Sequence, residues 1–179
     1  VHLNTFVTIG SGEKIVKTIV ASEIRSDVYL AFISKFGQIK RMSLGQIDSS
    51  RHNRPVRCMR LLNSDEIAGI ELLTGNSNIL VLTSGGNCSL FNENEINPLG
   101  LKAGGIKSIS GLGKQTISGL LTFDENEKRK ILLVTDKGCI RVYSNEKVNL
   151  TARLAKPTSM YQCFKNDMHT LVGAIKVNP

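Results

Sequence analysis

"LAFISKFGQIK", residues 30–40, reads as an apolar run, a glycine turn and a second run of mixed polarity. It returns twice, as "ILVLTSGGNCS" over 79–89 and as "ILLVTDKGCIR" over 131–141. The turn glycines stand at 37, 86 and 138, intervals of 49 and then 52 residues. Glycine at such a point supplies the positive φ that a tight hairpin demands. A second module follows each hairpin: Glu66-Ile67-Ala68-Gly69-Ile70, Thr116-Ile117-Ser118-Gly119-Leu120 and Thr170-Leu171-Val172-Gly173-Ala174. Its anchors at 67, 117 and 171 keep nearly the same spacing, and Lys14-Ile15-Val16-Lys17-Thr18-Ile19 fits one further copy.

Repeats of about 50 residues built from short strands describe blades or arrays. Each unit predicts about four strands: a run, a turn, a second run, a polar crossing and two shorter apolar runs. Helical periodicity is nearly absent, and Gly, Asn and Ser punctuate at short intervals. The expectation is an all-β, propeller-like array of four-stranded blades, about three complete and part of another. The units run approximately 1–27 (partial), 28–75, 76–127 and 128–179. Three and a half blades close a ring poorly, so a piece of a larger array is the simplest expectation, with an open or partly closed array as the alternative. The start, Val1-His2-Leu3-Asn4, has neither a methionine nor a signal-peptide pattern and fits the same expectation.

Alternation along a strand places Ile39, Cys88 and Ile140 toward a core and Lys40, Ser89 and Arg141 toward the opposite face. On this reading a cation recurs in the first and third hairpins, with the middle copy degenerate. The crossing segment 51–60 holds Arg51, Arg54, Arg57 and Arg60 with no acid. Counted back from the anchors, His52, Lys102 and Lys156 share one position, and Arg57, Lys107 and Tyr161 another. Cations recurring once per blade form a rim stripe that can track a phosphate backbone, with steep salt dependence from counterion release. Exposed strand edges also carry lysine merely to prevent pairing. The recurrence, with acids missing from the same places, favours a ligand.

Lys and Arg number 23 against 15 acids, a net charge of +8 and a pI near 9.5. That balance points to a polyanion, nucleic acid first and an anionic membrane surface second. No run approaches the 18 apolar residues of a membrane span. Cys58, Cys88, Cys139 and Cys163 show no C-x-x-C spacing and read as reduced thiols of a cytoplasmic protein rather than zinc ligands. Gly10-Ser11-Gly12-Glu13-Lys14 lacks the spacing of a phosphate-binding loop. His2, His52 and His169 are scattered, without the partners that metal or triad chemistry needs. Tyr29, Tyr143 and Tyr161 sit in or beside apolar runs, as packing residues do. The absence of tryptophan argues against stacking platforms for single strands and against the Trp-Asp repeats of protein-binding propellers. A propeller scaffold for proteins stays as the alternative from another class.

The segments "FISKFGQIKR", "LVTDKGCIRV" and "GLKAGGIKSI" resemble the C-terminal β-pinwheel repeats of bacterial type IIA topoisomerase A subunits. These are gyrase A and the topoisomerase IV A subunit (ParC), and the resemblance runs along the whole chain. It implies blades that exchange strands and duplex DNA bending around a basic outer edge. It places on that edge Lys35, Lys40 and Arg41 of the first hairpin and Lys137 and Arg141 of the third. Arg51, Arg54, Arg57, Lys102, Lys107, Arg153 and Lys156 of the crossings extend it. The middle hairpin, Ser84-Gly85-Gly86-Asn87-Cys88-Ser89, has no cation and is assigned no contact. No catalytic residue is implied, since the DNA-cleaving tyrosine of the family lies in the N-terminal part of the protein. The glutamine-arginine-arginine-glycine-glycine-lysine-glycine box of gyrase A is absent, although the first blade that would hold it is incomplete here. That absence, the degenerate middle repeat and "GLKAGGIKSI" point to topoisomerase IV ahead of gyrase. The resemblance further implies no cofactor in this domain and a holoenzyme that uses ATP and Mg2+. It implies an A2B2 assembly with an ATPase B subunit, a nucleoid-associated place in the bacterial cytoplasm and no membrane.

Overall fold

Three hairpins form where the sequence repeats. The computed structural model describes residues 9–20, 24–47, 55–62, 64–160 and 169–177. β1 (Tyr29–Ser34) turns into β2 (Gln38–Ser43), β4 (Asn78–Thr83) into β5 (Asn87–Asn92), and β8 (Lys130–Thr135) into β9 (Ile140–Ser144). Gly37, Gly86 and Gly138 adopt φ of 82°, 80° and 76°. Each donates its N–H to the residue three back, Ser34, Thr83 or Thr135, at 2.9–3.0 Å. A three-residue loop ending in left-handed glycine is a standard hairpin closure.

The second modules form β3 (Ile67–Leu73), β7 (Ile117–Phe123) and β11 (Leu171–Lys176), each antiparallel to the first strand of its hairpin. Two short strands complete the sheets from outside their own unit. β6 (Ile106–Lys107) follows the second hairpin in the chain yet pairs with β2 of the first. β10 (Thr158–Ser159) follows the third and pairs with β5 of the second. The sheet orders are β3-β1-β2-β6, β10-β5-β4-β7 and β11-β8-β9. This is the all-β, blade-like architecture expected from the repeats, with strands exchanged between neighbours.

Blades stack face to face, so most strands have no solvent side. In β4, Ile79, Leu80, Val81 and Leu82 are all fully buried. Ile79 and Val81 pack with Ala31, Ile33, Ile39 and Leu120 between the first two blades. Leu80 and Leu82 pack with Leu121, Phe123, Ile131 and Leu133 between the second and third. A third core, holding Leu30, Phe32, Met42 and Met59, lies on the other side of the first blade. Burying roughly 1.5–3 kcal/mol per large side chain makes these interfaces the main source of cohesion.

The glycine recurring in each second module sits where neighbouring blades pass closely. A Cβ on Gly69 would stand 3.0 Å from Leu120 Cβ and 3.3 Å from Ile33 Cγ2. On Gly119 it would stand 3.1 Å from Leu82 Cδ1 and 3.4 Å from Ala174 Cβ, whereas on Gly173 it meets nothing within 4 Å. Gly69→Ala is therefore expected to lower stability by about 1 kcal/mol through overpacking. Gly173→Ala in this chain should be neutral or slightly stabilising, because it only restricts the unfolded state. Urea unfolding of the two variants checks both signs.

Candidate nucleic-acid interface

Lys40 corrects the sequence-based expectation most sharply. Strand alternation places it on a solvent-facing rim, but it is fully buried. Its Nζ stands among four main-chain carbonyls: Cys58 O at 2.7 Å, Gly100 O at 2.5 Å, Leu101 O at 3.1 Å and Ala103 O at 3.2 Å. Burial pulls the ammonium below the usual lysine pKa, with the neighbouring Cys58 opposing the shift. The residue ties two crossing segments to the hairpin. Ser89, its counterpart in the second blade, is not a degenerate copy. Its hydroxyl donates to Arg153 O at 3.4 Å. The turn 152–155, closed by Ala155 N to Ala152 O, matches the turn 100–103, closed by Ala103 N to Gly100 O. Lysine and serine therefore reach the same carbonyl, that of the turn's second residue, by different lengths of side chain.

Arg41 is likewise buried, against the expectation that it lines the DNA-facing edge. Its guanidinium lies 4.3 Å from the centre of the Tyr29 ring and 3.3 Å from Glu93 Oε2. It also donates to Asn94 Oδ1 at 3.2 Å. Glu93 is fully buried in the second blade and accepts the Ser77 N–H at 2.6 Å. The pair joins two blades and has no surface left for a phosphate. Ile140 departs in the opposite sense: expected in a core, it is 61% exposed.

The crossing segments make the outer surface. β6 and β10 are the outermost strands of their sheets. Successive crossings are joined edge to edge. Arg60 N donates to Ala103 O at 3.1 Å, the Arg153 guanidinium donates to Lys107 O, and Ser110 Oγ donates to Ala155 O at 2.8 Å. Arg57, Arg60, Lys102, Lys107 and Lys156 are exposed on this belt, with Arg153 half-buried and its backbone N–H held by Glu95 Oε2 at 2.8 Å. Segments 55–62, 97–115 and 147–160 contain no Asp or Glu. Arg60 belongs to the basic run but not to the expected contact set, although its main-chain tie to Ala103 puts it on the belt.

The belt's cations do not recur at one position per blade. The turn hydrogen bonds align Lys102 with Leu154, Lys107 with Ser159 and Lys156 with Gly104. Counting from the strand anchors misaligns them because the third unit carries two extra residues between Ser159 and Leu171. At the hairpin tips Lys35 pairs with Glu66 at 2.9 Å, a surface ion pair of small energetic weight. Lys137 and Arg141 are exposed. Arg51 and Arg54, with His52 and Tyr161, lie outside the described residues. Burial pushes the Cys88 thiol up to about 12 and raises that of Cys58, which suits packing rather than reactivity. Among the described residues no group of three or more His, Cys, Asp or Glu is gathered as metal ligands, and no helix is long and apolar enough to cross a membrane.

Residues 29–74 and 77–128, more than half of the chain, match the family described as DNA gyrase C-terminal domain, beta-propeller. The chain belongs to this family. Relatives of this gyrase-type C-terminal domain include the A subunit of DNA topoisomerase 4 from Staphylococcus epidermidis, 26% identical over 97% of this chain and 22% of the relative. The A subunit of DNA topoisomerase 4 from Bacillus subtilis is 27% identical over 96% of this chain and 21% of its own length. The chain thus spans about a fifth of the curated relatives it matches. A crystal structure of the C-terminal domain of DNA topoisomerase IV superposes with a TM-score of 0.87 at 20% identity, covering 99% of this chain and 55% of that one. A DNA gyrase A C-terminal domain gives 0.55 at 15% identity, covering 97% and 74%. In the gyrase-type blades of this chain, Lys40 and Arg41 hold blades and crossings together, and the belt carries exposed cations of its own.

Proposed function

We propose that this chain is a duplex-DNA-binding and DNA-bending domain of a topoisomerase IV A subunit, non-catalytic in itself. The supporting observation is the outer belt: crossing segments joined across the blades, basic along their length and without acids. Its exposed cations suit contacts to phosphates rather than to base edges, so sequence preference would come from DNA deformability. The names of the relatives favour topoisomerase IV. The family description favours gyrase A wrapping as the second reading. Strand cleavage, ATP and Mg2+ would belong to other parts of an A2B2 holoenzyme with an ATPase B subunit. The work would take place in the bacterial cytoplasm, on the nucleoid.

A salt titration of the chain on linear duplex DNA tests the reading. With about six phosphate contacts, affinity should fall on the order of 10³-fold between about 50 and about 200 mM salt. An affinity that stays level over that range, or no retardation at all, would remove DNA binding from the chain.

A further inference from the structure

In the first blade, four main-chain carbonyls converge on one cation, the Lys40 ammonium. The second blade repeats the frame that carries those carbonyls. Thr151 N donates to Leu90 O as Leu99 N does to Arg41 O, and Met160 N to Gly86 O as Ser108 N does to Gly37 O, all at 2.9 Å. Ala155 N closes its turn on Ala152 O as Ala103 N does on Gly100 O. These ties make Ala152 O, Arg153 O and Ala155 O the counterparts of Gly100 O, Leu101 O and Ala103 O. Cys58 and Ser108 each lie nine residues before a strand anchor, Ile67 or Ile117, so Ser108 O corresponds to Cys58 O. In both blades the preceding crossing is joined to the turn, through Arg60 N to Ala103 O in one and Ser110 Oγ to Ala155 O in the other.

What differs at the centre is the donor. Ser89, 4% exposed, is much shorter than lysine and carries no charge. Its one hydroxyl proton goes to Arg153 O at 3.4 Å, where an ammonium brings three protons. Ser108 O belongs to a fully buried residue and meets no donor among the described residues. Two charges flank the turn: the Arg153 guanidinium, on Lys107 O, and the Glu95 carboxylate, on the Arg153 N–H. They cancel, and their counterparts in the first blade, Leu101 and Gln46, are neutral. The second cage of carbonyls is therefore one positive charge short of the first.

We infer that this second cage binds a monovalent cation of ammonium size, K+, through Ser108 O, Ala152 O, Arg153 O, Ala155 O and Ser89 Oγ. K+ and ammonium are close in radius, and neutral carbonyl oxygens are the ligands that replace the hydration shell of K+. A divalent ion draws carboxylates into direct coordination, and a soft metal draws thiolate or imidazole. The five oxygens include none of these. The bound ion does for the second blade what Lys40 does for the first, fastening the turn to the hairpin and to the preceding crossing. The site is independent of DNA binding.

Thermal unfolding of this chain in KCl, NaCl and choline chloride at one ionic strength tests it. The midpoint should rise with K+ along a saturating curve, half-complete on the order of 1 mM, for a total shift of about 5 °C or more at about 100 mM. Na+ should act more weakly, and choline, too large for the cage, not at all. Ser89→Lys should carry its own ammonium into the cage. Its midpoint in choline chloride should match that of the native chain in KCl, and K+ should move it no further. Ser89→Ala keeps the carbonyls and loses one ligand, so half-saturation should need at least about 5-fold more K+. Equal midpoints of the native chain in KCl and choline chloride would overturn the inference, leaving the Ser89 and Ser110 hydroxyls to serve the turn alone. A K+ response that survives unchanged in either variant would overturn it too, by placing the ion elsewhere.

Discussion

Lys40→Met is expected to destabilise the chain by on the order of 3–5 kcal/mol while leaving the DNA affinity of the folded fraction unchanged. Methionine keeps most of the volume but removes every N–H from a pocket of four carbonyls. Gly100 O and Ala103 O keep the Ala103 and Arg60 N–H groups, but Cys58 O and Leu101 O have no other donor among the described residues, and leaving such acceptors buried and unmet costs roughly 1–3 kcal/mol each. Both crossing segments, at Cys58 and at 100–103, lose their common tie. Urea unfolding reads the stability, and gel retardation at a temperature where the variant is folded reads the affinity. A steep loss of affinity without loss of stability would return Lys40 to the interface.

The second large effect is expected on the belt. Lys102→Glu with Lys107→Glu and Lys156→Glu should weaken duplex binding by at least about 10²-fold and flatten the salt slope by about 0.9 for each contact removed. All three residues are exposed. Exposed substitutions away from structural ties usually change stability by less than about 0.5 kcal/mol, so the circular dichroism melt should hardly move. Unchanged affinity would take this belt out of the DNA path and leave the hairpin tips, Lys137 and Arg141, as the surface to examine.

Much of the architecture is legible along the chain because it is local. A left-handed glycine closes each hairpin, and a module of fixed spacing follows it, so period and strand count can be counted off the residues. What Lys40 does is not legible in this way. Alternation assigns two faces to a strand, and the usual next step gives one of them to water. In a stack of blades both faces are covered, and a lysine on the second face must find acceptors inside. Arg41 misleads for the same reason, since its partner Glu93 lies 52 residues away and belongs to another blade. Arg57, Lys102, Lys107 and Lys156 are exposed cations, as their acid-free surroundings in the sequence suggest. Their expected equivalence between blades fails on two extra residues between Ser159 and Leu171, which no local pattern marks.

The exchange of short strands has a consequence for how the chain emerges from a ribosome. β2 cannot be capped until Ile106 has been made, 67 residues after Ile39, and β5 waits 70 residues between Cys88 and Thr158. Through each interval a nascent hairpin offers a bare edge, the kind of template that recruits foreign strands. Synthesis of the next unit is what retires that hazard. A repeat lost by deletion would therefore injure the blade before it, and such arrays should gain or lose units only with their neighbours' edges remade.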